Sequence, residues 1–155
     1  MIRDYLPRDI DIPPLWLAMA IVLTWALSFL WSVSLFGIVP GLGEVLVFFG
    51  ICLLVVSVAQ MALARTTFIP RRNPQALVTR GVFALSRNPI YLADAMILTG
   101  AVLYWGAVFA LPVIPGFMWL ITQRYIADEE NRLKAGFGAE YSTWAAKTPR
   151  WIGPI

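Results

Sequence analysis

Two short segments of the chain concentrate residues whose types and spacing suit ligand chemistry. They are Arg87, Asn88 and Tyr91 in the first segment, and Glu129 and Glu130 in the second. Pro89 favours the first turn of a helix, where unpaired backbone N–H groups and the helix dipole attract an anion. The glutamates attract a cation or accept hydrogen bonds from hydroxyls. Together the segments predict a site for a ligand with a carboxylate and a cationic or hydroxyl-rich part, although arginines and glutamates beside apolar runs also commonly serve as topology anchors.

Two residue types that often carry catalysis are scarce. The chain has no histidine, and its one cysteine, Cys52, lies inside an apolar run. Without histidine the chain lacks the usual general base near neutral pH and the commonest metal ligand. One cysteine forms neither an internal disulfide nor a CxxC metal site. The sequence therefore predicts no metal centre and a reaction that needs no histidine.

Composition indicates which solvent surrounds these segments. Of the 155 residues, 59% are hydrophobic and 14% are charged, whereas soluble domains average roughly 45–50% apolar and about 25% charged residues. The mean hydropathy is +0.73. The net charge is only +3, and the basic residues cluster in loops, which argues against nucleic-acid binding. We expect a single all-α integral membrane domain.

The apolar runs predict about four transmembrane helices, at residues 15–37, 45–64 and 90–105, with a fourth ending near 125. Glycines and prolines from 37 to 43 predict the turn between helices one and two. Pro112 and Pro115 predict kinks in the fourth helix. Helices one and two, residues 13–64, then form an anchor hairpin.

The basic residues predict the orientation. They concentrate in the loop after helix two and in the C-terminal tail, which places both termini in the cytoplasm under the positive-inside rule. Gly136 and Gly138 predict a stop in the helix that leaves the membrane. A short amphipathic helix over residues 139–147 follows, with Tyr141 and Trp144 at headgroup level.

The motif residues resemble a known family. Arg87-Asn88-Pro89-Ile90-Tyr91, followed by Glu129-Glu130 and then by Leu133, Phe137-Gly138 and Tyr141, is similar to the signature of isoprenylcysteine carboxyl methyltransferases and the related membrane phospholipid N-methyltransferases. The closing Pro149-Arg150-Trp151 resembles the family's ending. The resemblance covers residues 65–152, which we interpret as a methyltransferase-like core with a cofactor pocket.

The resemblance implies an S-adenosylmethionine-dependent enzyme of the bacterial inner membrane. The pocket residues carried over by position are Arg87, Asn88, Tyr91, Glu129 and Glu130. Asn88 replaces the commoner histidine, and Ala93 stands where a glycine is common. Asn88 still donates and accepts hydrogen bonds, but it does not transfer protons.

The missing histidine favours a carboxylate as methyl acceptor, because an amine or phenol must lose a proton. We expect a lipophilic or lipidated substrate that enters from the bilayer, with its carboxylate bound by Arg80 or by Arg87, which then acts catalytically. Asp94 is costly inside a membrane. It is predicted either to contact substrate or cofactor, as a second catalytic residue, or to pair with an arginine such as Arg87.

Three other functions remain open on the sequence. The same cofactor pocket serves a phospholipid N-methyltransferase or a thiol S-methyltransferase. A sterol-type membrane reductase would bind NADPH in distantly similar C-terminal helices. A non-enzymatic membrane scaffold would use its arginines and glutamates only for topology.

Overall fold

The computed structural model describes residues 11–30, 38–67 and 74–153. Over these ranges the chain forms α-helices joined by turns, as the sequence predicts. The helices are α1 (Pro13–Ser28), α2 (Ile38–Leu63), α3 (Pro89–Tyr104), α4 (Val113–Ile121) and α5 (Ala127–Ala145). A π-helical turn, Thr122–Ile126, joins α4 to α5 without a break, and 3₁₀ turns at Gly81–Ala84 and Val108–Ala110 precede α3 and α4.

Among the described helices, α2 is the one with the length and composition to cross a membrane. Its 26 residues have a mean hydropathy of 2.5, and at about 1.5 Å per residue they exceed a hydrocarbon core of about 30 Å. Phe48, Phe49 and Val55 project outward from it. The helices α1 and α3 are apolar but shorter, and residues 31–37 of the first predicted span lie outside the described residues. The four-span topology therefore stays a prediction.

Two sequence predictions about prolines are wrong. Residues 38–43 belong to α2 and not to a turn. Pro40 lies in the first turn of the helix, where its missing N–H has no intrahelical partner to lose. Pro112 caps α4 and Pro115 lies in its first turn, so for the same reason these prolines begin the helix and do not kink it.

Helix α2 packs tightly on α3 through a seam of glycines. A Cβ atom at Gly43 would lie 2.7 Å from the carbonyl oxygen of Gly100, and one at Gly50 would lie 2.8 Å from Cγ1 of Ile97. Small residues of this kind let two helix backbones approach closely inside a membrane. The second helix, predicted only as an anchor, thereby supports the helix that carries the first motif.

The other side of α3 packs against α1 and α4. Tyr91 and Leu98 form a buried core with Ile121 and Tyr125, and Trp16 of α1 packs against it. Helix α5 leaves this core and breaks at Gly138, whose φ of 51° and ψ of −116° are not helical. This confirms the predicted helix stop at Gly138, and the turn that follows carries Tyr141 back toward α3.

Candidate functional site

The loop that leads into the first motif is held by α2. Gln60 accepts a hydrogen bond from the backbone N–H of Val82 at 3.2 Å. Gly81 has a φ of 62°, and a Cβ atom there would lie 1.9 Å from Nε2 of Gln60. The positive φ favours glycine at this position, and a side chain there would displace the Gln60 amide that holds the loop. The 3₁₀ turn then directs the chain to Arg87 and the start of α3.

The C-terminal tail crosses the N-terminus of α3. The Arg87 N–H donates to the carbonyl oxygen of Pro149 at 2.9 Å. The carbonyl oxygen of Arg150 accepts hydrogen bonds from Asn88 Nδ2 at 3.0 Å and from the Ser86 hydroxyl at 3.2 Å. The Asn88 side chain therefore anchors the tail, a task that needs a hydrogen-bond donor and no proton transfer.

Glu130 joins the first motif to the tail. Its carboxylate pairs with Nη1 of Arg87 at 3.2 Å, and Arg150 holds it with two nitrogens, Nε at 3.0 Å and Nη2 at 2.5 Å. Such two-pronged, charge-assisted bonds are the stronger class of hydrogen bond. The Tyr141 hydroxyl accepts a further bond from Arg87 at 3.4 Å. Two guanidinium groups thus compensate the charge of Glu130.

Glu129 lies in a different environment one residue earlier. It accepts a hydrogen bond from the hydroxyl of Tyr91 at 2.8 Å, and Tyr91 is buried. Burial raises the pKa of Glu129 to about 7, against the opposing effects of the Tyr91 hydrogen bond and the Arg132 charge. The adjacent carboxylates therefore differ: Glu130 is ion-paired with two guanidinium groups, whereas Glu129 is half-buried beside a phenol.

Two guanidinium nitrogens near these acids have no hydrogen-bond partner. Nε of Arg87 and Nη1 of Arg132 are buried and find no acceptor among the described residues. Buried donors of this kind are normally satisfied by protein, water or ligand. Neither nitrogen has an acceptor among the described residues, so each can donate to a partner that is supplied from outside the chain.

Asp94 lies one turn after Tyr91 and is only 5% exposed. Helical periodicity places it on the side of α3 that carries Tyr91 and Leu98, away from the α2 seam. Its carboxylate makes no hydrogen bond or ion pair with any described residue, so the structure does not pair it with Arg87. The other predicted substrate residue, Arg80, is exposed ahead of the 3₁₀ turn.

The structure thus brings Arg87, Asn88, Tyr91, Glu129 and Glu130 to one end of the molecule and leaves Arg80 at the surface. The sequence reasoning did not identify Arg150 as the partner of Glu130, although Pro149-Arg150-Trp151 already formed part of the resemblance. Arg124 is one of the basic residues that the sequence predicts to lie in the cytoplasmic tail, whereas in the structure it is buried and ion-paired with Asp11. No sequence signal connects those two residues.

Comparison with known proteins identifies a family. The model of the phospholipid methyltransferase family matches residues 38–140, which is more than half of the chain. The matched region begins at α2 and contains both motifs, but it excludes Asp11 and Arg150. No curated protein matches the chain.

Proposed function

This chain belongs to the phospholipid methyltransferase family, and from that premise we propose that it transfers a methyl group from S-adenosylmethionine to an amine-bearing lipid. The observation that carries the proposal is the pair of acids beside Tyr91, namely the half-buried Glu129, which accepts the Tyr91 hydrogen bond, and the buried Asp94. The isoprenylcysteine-type carboxylate acceptor that the sequence favoured is the competing candidate.

The site residues fit S-adenosylmethionine by the chemistry of their donors and acceptors. The cofactor's methionine part carries a carboxylate, an ammonium and a sulfonium. The unpartnered nitrogens of Arg87 and Arg132 suit the carboxylate. Glu129 accepts one hydrogen bond from Tyr91 and retains further acceptor capacity for a cation.

We assign different tasks to the two glutamates. Glu129 binds the cation, since its carboxylate forms no ion pair with a guanidinium among the described residues. Glu130 is a clamp that fixes Arg87 and the tail residue Arg150. Tyr91 orients Glu129, and Asn88 holds the tail over the end of α3. These assignments support a cofactor position at the predicted cytoplasmic end of α3 and α5.

The charged groups that the cofactor does not use indicate the chemistry of the methyl acceptor. When bound, S-adenosylmethionine supplies an electrophilic methyl group on sulfur, and the C–S bond breaks as the new bond to the acceptor forms. An amine nitrogen that gains the methyl group must lose a proton, and the Asp94 carboxylate takes that proton. An acceptor carboxylate would need a guanidinium instead, yet Arg87 pairs with Glu130 and its remaining nitrogen is assigned to the cofactor carboxylate, while Arg80 is exposed. The buried charge therefore favours an amine.

The test is methyl transfer by the purified chain in lipid vesicles. Vesicles contain phosphatidylethanolamine, an S-prenylated cysteine or a lipophilic thiol, and the donor is methyl-labelled S-adenosylmethionine. Label in the amine lipid supports the proposal, and label only in the prenylcysteine ester would replace the amine by the carboxylate. Tight NADPH binding without S-adenosylmethionine binding would indicate a reductase, and binding of neither would favour the scaffold.

Asp94→Asn separates the acceptor role from cofactor binding. We expect it to leave the Kd for S-adenosylmethionine within about twofold and to lower turnover of the amine by about 10²-fold or more, the usual contribution of a general base. Glu140→Gln, which neutralises an exposed acid, is the matched control. Unchanged turnover in Asp94→Asn would remove Asp94 from the mechanism.

A further inference from the structure

A buried polar cluster lies outside the motif residues, at the base of α1. Oδ1 of Asp11 accepts hydrogen bonds from Nε1 of Trp16 at 2.9 Å, from Nε of Arg124 at 2.8 Å and from the hydroxyl of Tyr125 at 2.6 Å. Asp11 is 3% exposed and Arg124 is 7% exposed. The guanidinium also lies over the Trp16 ring, 5.1 Å from its centroid. The cluster joins residues more than a hundred positions apart.

Two of these residues belong to the π-helical turn, Thr122–Ile126. A π-helical turn contains an additional residue, so every later side chain is rotated by about 100° relative to an uninterrupted α-helix. Phe117 and Ile121 mark the buried face of α4. At 3.6 residues per turn that face would next reach Asp128. With the π-helical turn it reaches Glu129, which meets Tyr91.

The Asp11 cluster also lies next to Tyr91, whose contact with Glu129 depends on the helical register after the π-helical turn. The Tyr125 ring lies 6.4 Å from the Tyr91 ring, centroid to centroid, while its hydroxyl is held by Asp11. A buried ion pair that loses one partner leaves an uncompensated charge. A backbone conformation that separated Arg124 from Asp11 would therefore be costly, and the pair strongly favours the conformation that keeps them together.

We propose that Asp11 is a positioning residue that holds the π-helical turn and thereby sets Glu129, rather than Asp128, against Tyr91. The segment before α1, which lies outside the family match, then contributes to the geometry of the methyltransferase site. The effect on cofactor binding rests on the proposed function, whereas the effect on the Tyr91–Glu129 contact does not.

A double-mutant cycle without ligand tests the contact. Asp11→Ala, Tyr91→Phe and the double variant are compared with the unsubstituted chain by thermal unfolding in detergent. If Asp11 sets the register, the Tyr91 hydroxyl has already lost its partner in Asp11→Ala. The Tyr91→Phe substitution then lowers Tm by less in that background than it does alone. Equal losses in both backgrounds would overturn the proposal.

Cofactor affinity gives a second readout. A general loss of stability would raise the Kd equally with and without Glu129, whereas positioning through Glu129 would not. We expect Asp11→Ala to raise the Kd for S-adenosylmethionine about tenfold, and to raise it much less in a Glu129→Gln background. Glu140→Gln serves as the charge-matched control. Fully multiplicative losses would refute positioning through Glu129. If the unsubstituted chain binds no cofactor while the ligand-free cycle shows coupling, the proposed function fails and the positioning role stands.

A milder variant covers the case in which Asp11→Ala does not fold. Tyr125→Phe removes the hydrogen bond from the Tyr125 hydroxyl to Oδ1 of Asp11 and keeps the ring that packs on Tyr91. We expect a smaller rise in Kd, about two- to threefold, and the same reduced effect of Tyr91→Phe on Tm. A Tyr125→Phe chain with unchanged Kd and fully additive losses of Tm would count against the positioning role of Asp11.

Discussion

If Glu129 binds the cation of the cofactor as we propose, we expect cofactor affinity to depend on pH near neutrality. Burial raises the pKa of its carboxyl from 4.5 to about 7, and a cationic ligand binds the ionised form. With a pKa of about 7 the ionised fraction is about 3% at pH 5.5 and about 75% at pH 7.5. The Kd for S-adenosylmethionine should therefore fall about 25-fold over this interval. Above it the ligand's own α-amino group titrates, near pH 8.

The assay is isothermal titration calorimetry of the purified chain in detergent. Buffers of different ionisation enthalpy will show release of up to one proton on binding below pH 7, because the ligand drives Glu129 to its ionised form. Glu129→Gln should bind weakly with a flat pH dependence, and Glu140→Gln should match the unsubstituted chain. Affinity that is flat from pH 5.5 to 7.5 without proton release would refute the assignment of the cation to Glu129.

Further predictions concern the folding stability of the chain and the ion pair between Glu130 and Arg150. The pKa of Glu129 is raised in the folded state, so folding favours its protonated form. The resulting contribution to stability, at most about 3 kcal/mol, is fully present below pH 4.5 and is lost as the pH rises through 7. Glu129→Gln should therefore raise Tm at pH 8 but not at pH 4. Gly50→Ala places a Cβ 2.8 Å from Ile97 and should destabilise the chain by about 1–3 kcal/mol in denaturant titration, whereas Gly136→Ala, with nothing within 4 Å, should be neutral or stabilising. Arg150→Ala releases the tail and should weaken cofactor binding about tenfold by equilibrium dialysis; an unchanged Kd would show that the tail does not shape the site.

The amino-acid sequence by itself determined the helical class and the grouping of the motif residues. Apolar runs and an N-terminal proline are local signals, and they place α3 to within a residue of its observed start. The same local signals misplaced the start of α2, because a proline near a helix end is compatible with both a turn and a first helical turn. The spacing between the motifs indicated the resemblance to methyltransferases. It did not indicate how exposed either glutamate is or which charge state it has.

Tertiary structure decided how the two adjacent glutamates differ. Glu130 meets Arg87 and Arg150 in ion pairs, while Glu129 is turned toward Tyr91 by a π-helical turn that Asp11 holds from the far end of the chain. Burial, and hydrogen bonds between residues distant in sequence, depend on how helices pack, and no local pattern records them. The residue types therefore specify which groups are available for chemistry, and the packing specifies which of them is left to bind a ligand.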